Sequence, residues 1–271
     1  MLIAQISDIH ITAPGTRAYG VAPMAENLIR CVEHINRIVP QPDLVLLTGD
    51  ITQQGLADEF SHAADLLAGL KMPYYVIPGN HDKREGLWAA FGGQACPSRE
   101  GGFINYVVDD YDIRLIALDS TVPDASGGEI CEARAAWLDR QLSGQRDKPS
   151  VIFMHHPPVK CGVIETDVDG FEGVDRLAAV IRKYKNIEKI LCGHIHLPAH
   201  TRWQGTVVST APSIGMQLVL DFELQREEFT LQQPGYLLHY WNKEQELITF
   251  SLNVDSNSQT YPFDIHTTTS S

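Results

Sequence analysis

Over the first two hundred residues, short apolar runs alternate with stretches of helical spacing, and the apolar runs end on polar side chains. Residues 2–6 (LIAQI), 43–47 (DLVLL), 74–77 (YYVI), 151–154 (VIFM) and 187–191 (IEKIL) have the character of short, largely buried strands. Between them, Leu28, Cys31, Val32 and Ile35 recur at helical intervals within 27–39, and further helices are predicted over 59–70, 84–91, 132–142 and 174–184. Strands alternating with helices predict a parallel core whose C-terminal strand ends collect functional groups. Residues 103–108 and 114–118 flank a turn at 109–112 and predict a hairpin, hence an antiparallel part of the sheet system. Beyond Pro198 the runs 207–210, 216–222, 235–241 and 247–252 read as hairpins, a β-rich portion over 200–255. A tail at 256–271 is expected to be disordered.

What ends the apolar runs changes the picture. Asp8 and His10 follow the first, one residue apart, so strand alternation turns both to one face. Asp50 follows the second, after Gly49. Pro78-Gly79 breaks the third and delivers Asn80, His81 and Asp82 together. His155 and His156 follow the fourth, before two prolines, and His194 and His196 follow the fifth with the spacing of a common face. A lone histidine reads as a packed or surface residue, as His34 and His62 do on their helices, and Asp119 reads as structural. Seven residues at five strand ends do not: Asp8, His10, Asp50, Asn80, His155, His194 and His196 offer carboxylate, imidazole and amide donors without thiolate. Such a set suits Mn²⁺, Fe, Zn²⁺ or Co²⁺, and it exceeds what one such ion takes from protein, so two divalent ions are implied.

Composition narrows the partners. The 271 residues are 44% hydrophobic and 20% charged, as in a globular protein, and the formal charge of -13 argues against long nucleic acid as a partner. A small anionic substrate stays compatible, because a metal centre reverses the local sign. The five cysteines are scattered without CxxC pairs and are expected as buried free thiols. The first residues lack a basic start and a cleavage site, and no apolar run is long enough for a bilayer, so a cytoplasmic location with no membrane contact is expected.

The blocks DxH (Asp8 to His10), GD (Gly49-Asp50), GNHD (Gly79 to Asp82), HHPP (His155 to Pro158) and GHxH (Gly193 to His196) resemble the calcineurin-like metallophosphoesterases, in family order and over about the first 200 residues. The opening segment and FMHHPP look most like the glycerophosphodiesterase and class III cyclic-nucleotide phosphodiesterase branch. This resemblance implies an α/β fold, an αββα sandwich of two mixed β-sheets flanked by helices, with a catalytic core over 1–199 and a small C-terminal β appendage. It implies Asp8, His10, Asp50 and His196 on one metal and Asp50, Asn80, His155 and His194 on the other, with Asp50 bridging. His81 would contact the phosphate or protonate the leaving group, and Asp82 would orient the site from behind the ligands. His156 is no ligand in the family; its exchange with His155 is the competing assignment, disfavoured because Pro157-Pro158 leaves His156 in the turn.

The activity implied is dinuclear metal-dependent hydrolysis of small phosphodiesters, cyclic nucleotides or glycerophosphodiesters, by attack of metal-activated hydroxide on phosphorus. Phosphomonoester hydrolysis is the nearest alternative. A non-catalytic scaffold of the same fold is the other, and such a relative is expected to lose ligands that are all present here. Substrate discrimination is expected in the loops 14–23 and 161–173, with Tyr19, Phe171 and Tyr236 as candidate wall aromatics that could equally be core or surface residues. Related phosphodiesterases often pair through the C-terminal strands, so a homo-oligomer, a dimer or higher, is expected.

Overall fold

The computed structural model describes residues 1–93, 95–244, 246–254 and 261, so the tail expected at 256–271 lies, Tyr261 apart, outside the described residues. The first half alternates β1 (Leu2–Ile6), α1 (Met24–Ile35), β2 (Leu44–Thr48), α2 (Ala57–Leu67), β3 (Tyr74–Ile77) and α3 (Arg84–Phe91). There follow β4 (Tyr106–Val108), β5 (Arg114–Ala117), β6 (Gly128–Glu129), α4 (Glu132–Ser143), β7 (Ser150–Phe153), α5 (Ile164–Asp167), β8 (Phe171–Glu172), α6 (Val174–Ile181) and β9 (Ile187–Cys192). The chain closes with β10 (Ala199–Trp203), β11 (Thr206–Thr210), β12 (Met216–Leu218), β13 (Phe229–Leu231), β14 (Gly235–Asn242) and β15 (Glu246–Asn253).

Two mixed sheets result. One has the order β15-β14-β1-β2-β3 and the other β10-β11-β9-β7-β5-β4. Strands β1, β2 and β3 run parallel, as do β5, β7, β9 and β11, while β14, β15, β4 and β10 join antiparallel at the edges. The parallel strands are buried on both faces, β2 along its whole length, which is why they read as continuous apolar runs. The sheets lie face to face: Gln5 Nε2 of β1 donates to the Cys192 carbonyl of β9 at 2.9 Å, and Lys189 of β9 donates to Thr249 of β15. Helices α1 and α2 are the crossovers of the first sheet, with α3 packed on α2 and leading to the second sheet, whose crossover helices α4 and α6 pack together. Each turns an apolar stripe inward, such as Leu28, Cys31, Val32 and Ile35 of α1.

The β-rich portion expected as an appendage is distributed through this sandwich. β14 pairs with β1, Ile3 opposite His239, and carries β15 outside it, while β10 and β11 extend the second sheet. The β12-β13 hairpin is a separate two-stranded sheet. Tyr236 is wholly buried in β14, its hydroxyl 2.8 Å from His34 Nδ1, so it is a core residue. All five cysteines are free, with Cys131 and Cys161 only half-buried.

Candidate metal centre

At the C-terminal ends of the parallel strands the chain turns sharply. Asp8, His10, Asp50, His194 and His196 all have positive φ, between 40° and 73°. A non-glycine residue there costs on the order of 1–2 kcal/mol, so five together mark a backbone held by its surroundings. This revises how the DxH and HxH pairs converge. They lie beyond β1 and β9, and left-handed turns bring them together where strand pleating was expected to.

The loops are fastened to each other. Asp8 N donates to Gly49 O and His10 N to Asp50 O, at 3.1 and 2.9 Å. His194 N donates to Asp8 Oδ1 at 3.0 Å and His81 N to Asp50 Oδ1 at 2.9 Å. Asp82, 8% exposed, accepts from Ile51 N, Thr52 N, Thr52 Oγ1 and Gly79 N, so its carboxylate binds the second strand end to the third. A side chain at Gly79 would meet Asp50 Oδ1 at 2.1 Å, and one at Gly49, where φ is +92°, would meet the His155 ring at 2.3 Å. Both positions need glycine.

Two groups of donor atoms form, each within 4.8 Å: Asp8, His10, Asp50 and His196 in one, His155, His156 and His194 in the other. In the second, His156 is already engaged, with Ser120 Oγ 2.8 Å from its Nδ1 and the Ser126 carbonyl 3.0 Å from its Nε2. Asn80 stands in its place, its Oδ1 3.0 Å from His155 Nε2 and 3.2 Å from His194 Nδ1. Asp50 Oδ2 joins the groups, 3.6 Å from His10 Nε2 and 3.4 Å from His155 Nε2. All seven residues named from the strand ends are therefore brought together.

The hydrogen-bonding roles show whether cations fit. His155 Nδ1 donates to the Thr48 carbonyl, His194 Nε2 to that of Glu165 and His196 Nδ1 to that of Met216, at 2.8, 3.0 and 2.7 Å. Each imidazole thus turns its other nitrogen, a lone pair, toward the centre. There the lone pairs meet acceptors, Asn80 Oδ1 for two of them and Asp8 Oδ1 at 3.6 Å for His196 Nε2, which also has His10 Nε2 at 3.1 Å. Asp8 Oδ2 and His10 Nδ1 are buried without partners. Converging acceptors with orphaned polar atoms fit divalent cations.

The electrostatics agree. Burial holds His10 well below the usual histidine range, and burial with neighbouring His155 brings His194 down to about 3, so both stay in the neutral form that binds metal. Burial opposes charge on His155 too, but Asp50, Asp8 and the Thr48 carbonyl outweigh it and raise its pKa to about 9. A proton there stands where a cation would. Burial would raise Asp50, yet His155, His81 and His10 hold it well below the carboxylate range, whereas burial dominates at Asp8 and raises it. Burial and Asp50 push Asp82 up to about 6. For His81, Asp50, the Gln53 carbonyl and Asp82 overcome burial and raise the pKa.

His81 Nδ1 donates to the Gln53 carbonyl at 2.7 Å, and its ring stands edge-on to His10 with centroids 4.7 Å apart. It lines a cavity of about 300 Å³ over the centre, together with His10, Asn80, His194, His196 and Tyr19. Tyr19 comes from the loop expected to shape the substrate site; Phe171 packs against the core instead. Asp119 is structural, gripping Arg84, Thr121 and the Ile104 amide. Sequence reasoning missed Phe229 and Glu227 in the cavity wall, and also α5, whose four residues carry no periodic signal.

Residues 1–198 match the family model described as calcineurin-like phosphoesterase. The chain is 38% identical to a protein named as a probable glycerophosphodiester phosphodiesterase of Arcobacter nitrofigilis, over 97% of each chain. It is 28% identical to the 3′,5′-cyclic adenosine monophosphate phosphodiesterase of Escherichia coli K12, over 86% of this chain and 82% of that one. Among solved structures, a dimetal phosphatase from Danio rerio shares the fold with a TM-score of 0.62 at 15% identity, covering 94% of this chain and 99% of that one. No helix among the described residues is long and apolar enough to cross a membrane. The chain belongs to the calcineurin-like phosphoesterase family and is a metal-dependent phosphodiester hydrolase of that family.

Proposed function

We propose that the chain hydrolyses small phosphodiesters, glycerophosphodiesters or cyclic nucleotides, at a two-metal centre in which Asp8, His10, Asp50 and His196 hold one cation and Asp50, Asn80, His155 and His194 the other. The observation that carries this reading is the convergence of three imidazole lone pairs, each fixed by an N–H given to a backbone carbonyl, on carboxylate and amide acceptors. The relatives named as glycerophosphodiester and cyclic-nucleotide phosphodiesterases support the substrate class. When bound, the two cations supply positive charge for phosphate oxygens and acidify water.

The protein's own groups do the rest. Asp50, whose Oδ2 lies between the two donor groups, would be shared by both cations, and the His81 amide on Oδ1 fixes the carboxylate plane. Asp82 is a positioning residue, its oxygens committed to the two loops that carry Asp50 and Asn80. With Nδ1 occupied by the Gln53 carbonyl, His81 offers Nε2 to a phosphate oxygen or to the departing alkoxide, which needs a proton. The oxygen and nitrogen donor set suits Mn²⁺, Fe, Zn²⁺ or Co²⁺. Five free thiols suit a reducing cytoplasm, and the exposed Phe250 and Tyr240 of the outer strands suit pairing with a second copy.

The test is turnover of metal-stripped protein reconstituted with each metal against 3′,5′-cyclic AMP, a glycerophosphodiester and a phosphomonoester. Metal-dependent cleavage of a diester is expected. Binding of two cations without hydrolysis of any ester would overturn the reading.

A further inference from the structure

Beyond β11 the chain turns through Ala211-Pro212-Ser213-Ile214-Gly215 before β12 begins at Met216. Ser213 is wholly buried in this turn and forms a parallel bridge with Ser7, where β1 runs on into Asp8. It stands outside the motif blocks and outside both groups of donor atoms. Its hydrogen bonds nevertheless converge on two residues of one group. The Ser213 hydroxyl donates to the Asp8 carbonyl at 2.8 Å and accepts from the Met216 amide at 3.3 Å. The Ser213 amide donates to the His196 carbonyl at 3.2 Å, and the Met216 carbonyl accepts from His196 Nδ1 at 2.7 Å. Three bonds thus close a ring on His196: Ser213 holds its carbonyl, Met216 holds its imidazole, and Ser213 and Met216 hold each other. The same hydroxyl reaches across to Asp8, at the strand end of the other sheet.

The backbone at these two residues needs such a fastening. Asp8 and His196 have φ of 52° and 55°, a conformation that a residue other than glycine keeps only where its surroundings over-determine it. The turn that supplies the fastening is itself fixed. Gln217 Nε2 donates to the Ser213 carbonyl at 2.6 Å, and a side chain at Gly215 would meet Asn27 Nδ2 of α1 at 2.3 Å, so the turn has no slack with which to follow a displaced ligand. The second donor group is held elsewhere, His155 by the Thr48 carbonyl and His194 by that of Glu165. The support from Ser213 is therefore one-sided.

On the reading that two cations bind at this centre, we infer that Ser213 is a positioning residue for one of them. Its hydroxyl sets the placement of Asp8 against His196, and with it the affinity of the cation that Asp8, His10, Asp50 and His196 hold, while the neighbouring site keeps its own supports. Ser213 gives no atom to the centre and acts through these two ligands.

The experiment titrates metal-stripped wild type, Ser213→Ala, Gln217→Met and Ser209→Ala with Mn²⁺ and Co²⁺ by calorimetry, and records the Co²⁺ absorption spectrum at each step. The wild type is expected to take up two ions. In Ser213→Ala one Kd rises by about 10- to 100-fold and the other stays within about twofold, the loss that follows removal of a partner behind a metal ligand. The Co²⁺ spectrum of the weakened site then disappears at two equivalents of metal, while that of the other site persists. Gln217→Met keeps the hydroxyl but frees the turn behind it, and weakens the same site by a few-fold, roughly. It decides the matter if Ser213→Ala does not fold. Ser209→Ala removes another fully buried hydroxyl, 2.9 Å from His200 Nδ1, and lowers Tm without moving either Kd. Two Kd values unmoved in the folded variants, or both weakened alike, overturn the inference and leave the two-metal reading standing. A wild type that takes up fewer than two ions overturns both.

Discussion

Two buried polar clusters lie along β1, and the fold has settled them in opposite ways. Gln5, within the strand and fully buried, donates to Thr48 Oγ1 at 3.0 Å and to the Cys192 carbonyl at 2.9 Å, and accepts from His239 Nε2 at 3.0 Å. His239 in turn has Thr249 Oγ1 2.9 Å from its Nδ1. Three residues further on, Asp8 is equally buried, yet its Oδ2 is orphaned, as is His10 Nδ1. Burial and polarity alone do not distinguish structural groups from functional ones. What separates these two is satisfaction: the first cluster seals two sheets together, and the second leaves buried polar atoms without protein partners beside converging metal-type donors.

The largest effect expected breaks the second cluster. Asp50→Ala removes the donor shared by both groups, and turnover should fall by on the order of 10³ or more, with a matching loss of bound metal. Measured metal content and kcat check this; an active, fully loaded Asp50→Ala would exclude a bridging role. Stripping the metal from the intact chain should come next in size. If the cations bind the folded chain alone, at a concentration of about 1,000 Kd each site contributes about 4 kcal/mol, so the chelated protein should melt on the order of 10 °C lower. Equal melting temperatures would contradict that account.

Gln5→Leu probes the sealed cluster. It leaves His239 Nε2 without its partner, while the Cys192 carbonyl keeps the Ala211 amide, and should cost about 1–3 kcal/mol, read by denaturant unfolding, while bound metal stays at the wild-type level. Loss of metal from this variant would show that the two clusters are coupled. The remaining effect is confined to acid and is absent at neutral pH. Burial, and secondarily Lys189 and His200, depress the His239 pKa to about 3. Below pH 6.5 the unfolded chain takes up a proton that the folded chain refuses, so stability falls by about 1.4 kcal/mol per pH unit from there down to about pH 3. Above pH 6.5 both forms are neutral and the contribution vanishes. His239→Gln should flatten this limb by that slope, and an unaltered pH profile would exclude His239 as its source.

Much of the metal centre was legible because its parts are local. A continuous apolar run such as residues 43–47 identifies a strand buried on both faces, and the polar residue that ends it is at the strand end in any parallel arrangement. The expectation of His155 over His156 rested on Pro157-Pro158, whereas what occupies His156 is tertiary: Ser120 Oγ and the Ser126 carbonyl stand against its two nitrogens. The left-handed backbone at Asp8, His10, Asp50, His194 and His196 had only a weak signal, since Asp and His are merely enriched in that conformation and no glycine stands at those positions. The C-terminal strands were recognised as strands, but their pairing partners were not.

By itself, then, the order of apolar and polar residues determined the alternating strands and helices and the donor set that ends the strands, because side-chain periodicity and donor chemistry are properties of neighbouring residues. Tertiary structure alone decided that β14 lies beside β1 from the far end of the chain, that carboxylates from α5 and from the β13 approach share one cavity, and which buried polar atoms are left without partners. Those depend on topology, which brings together residues as far apart as Gln5 and His239, separated by 234 positions, and on whether each buried donor and acceptor finds its match there.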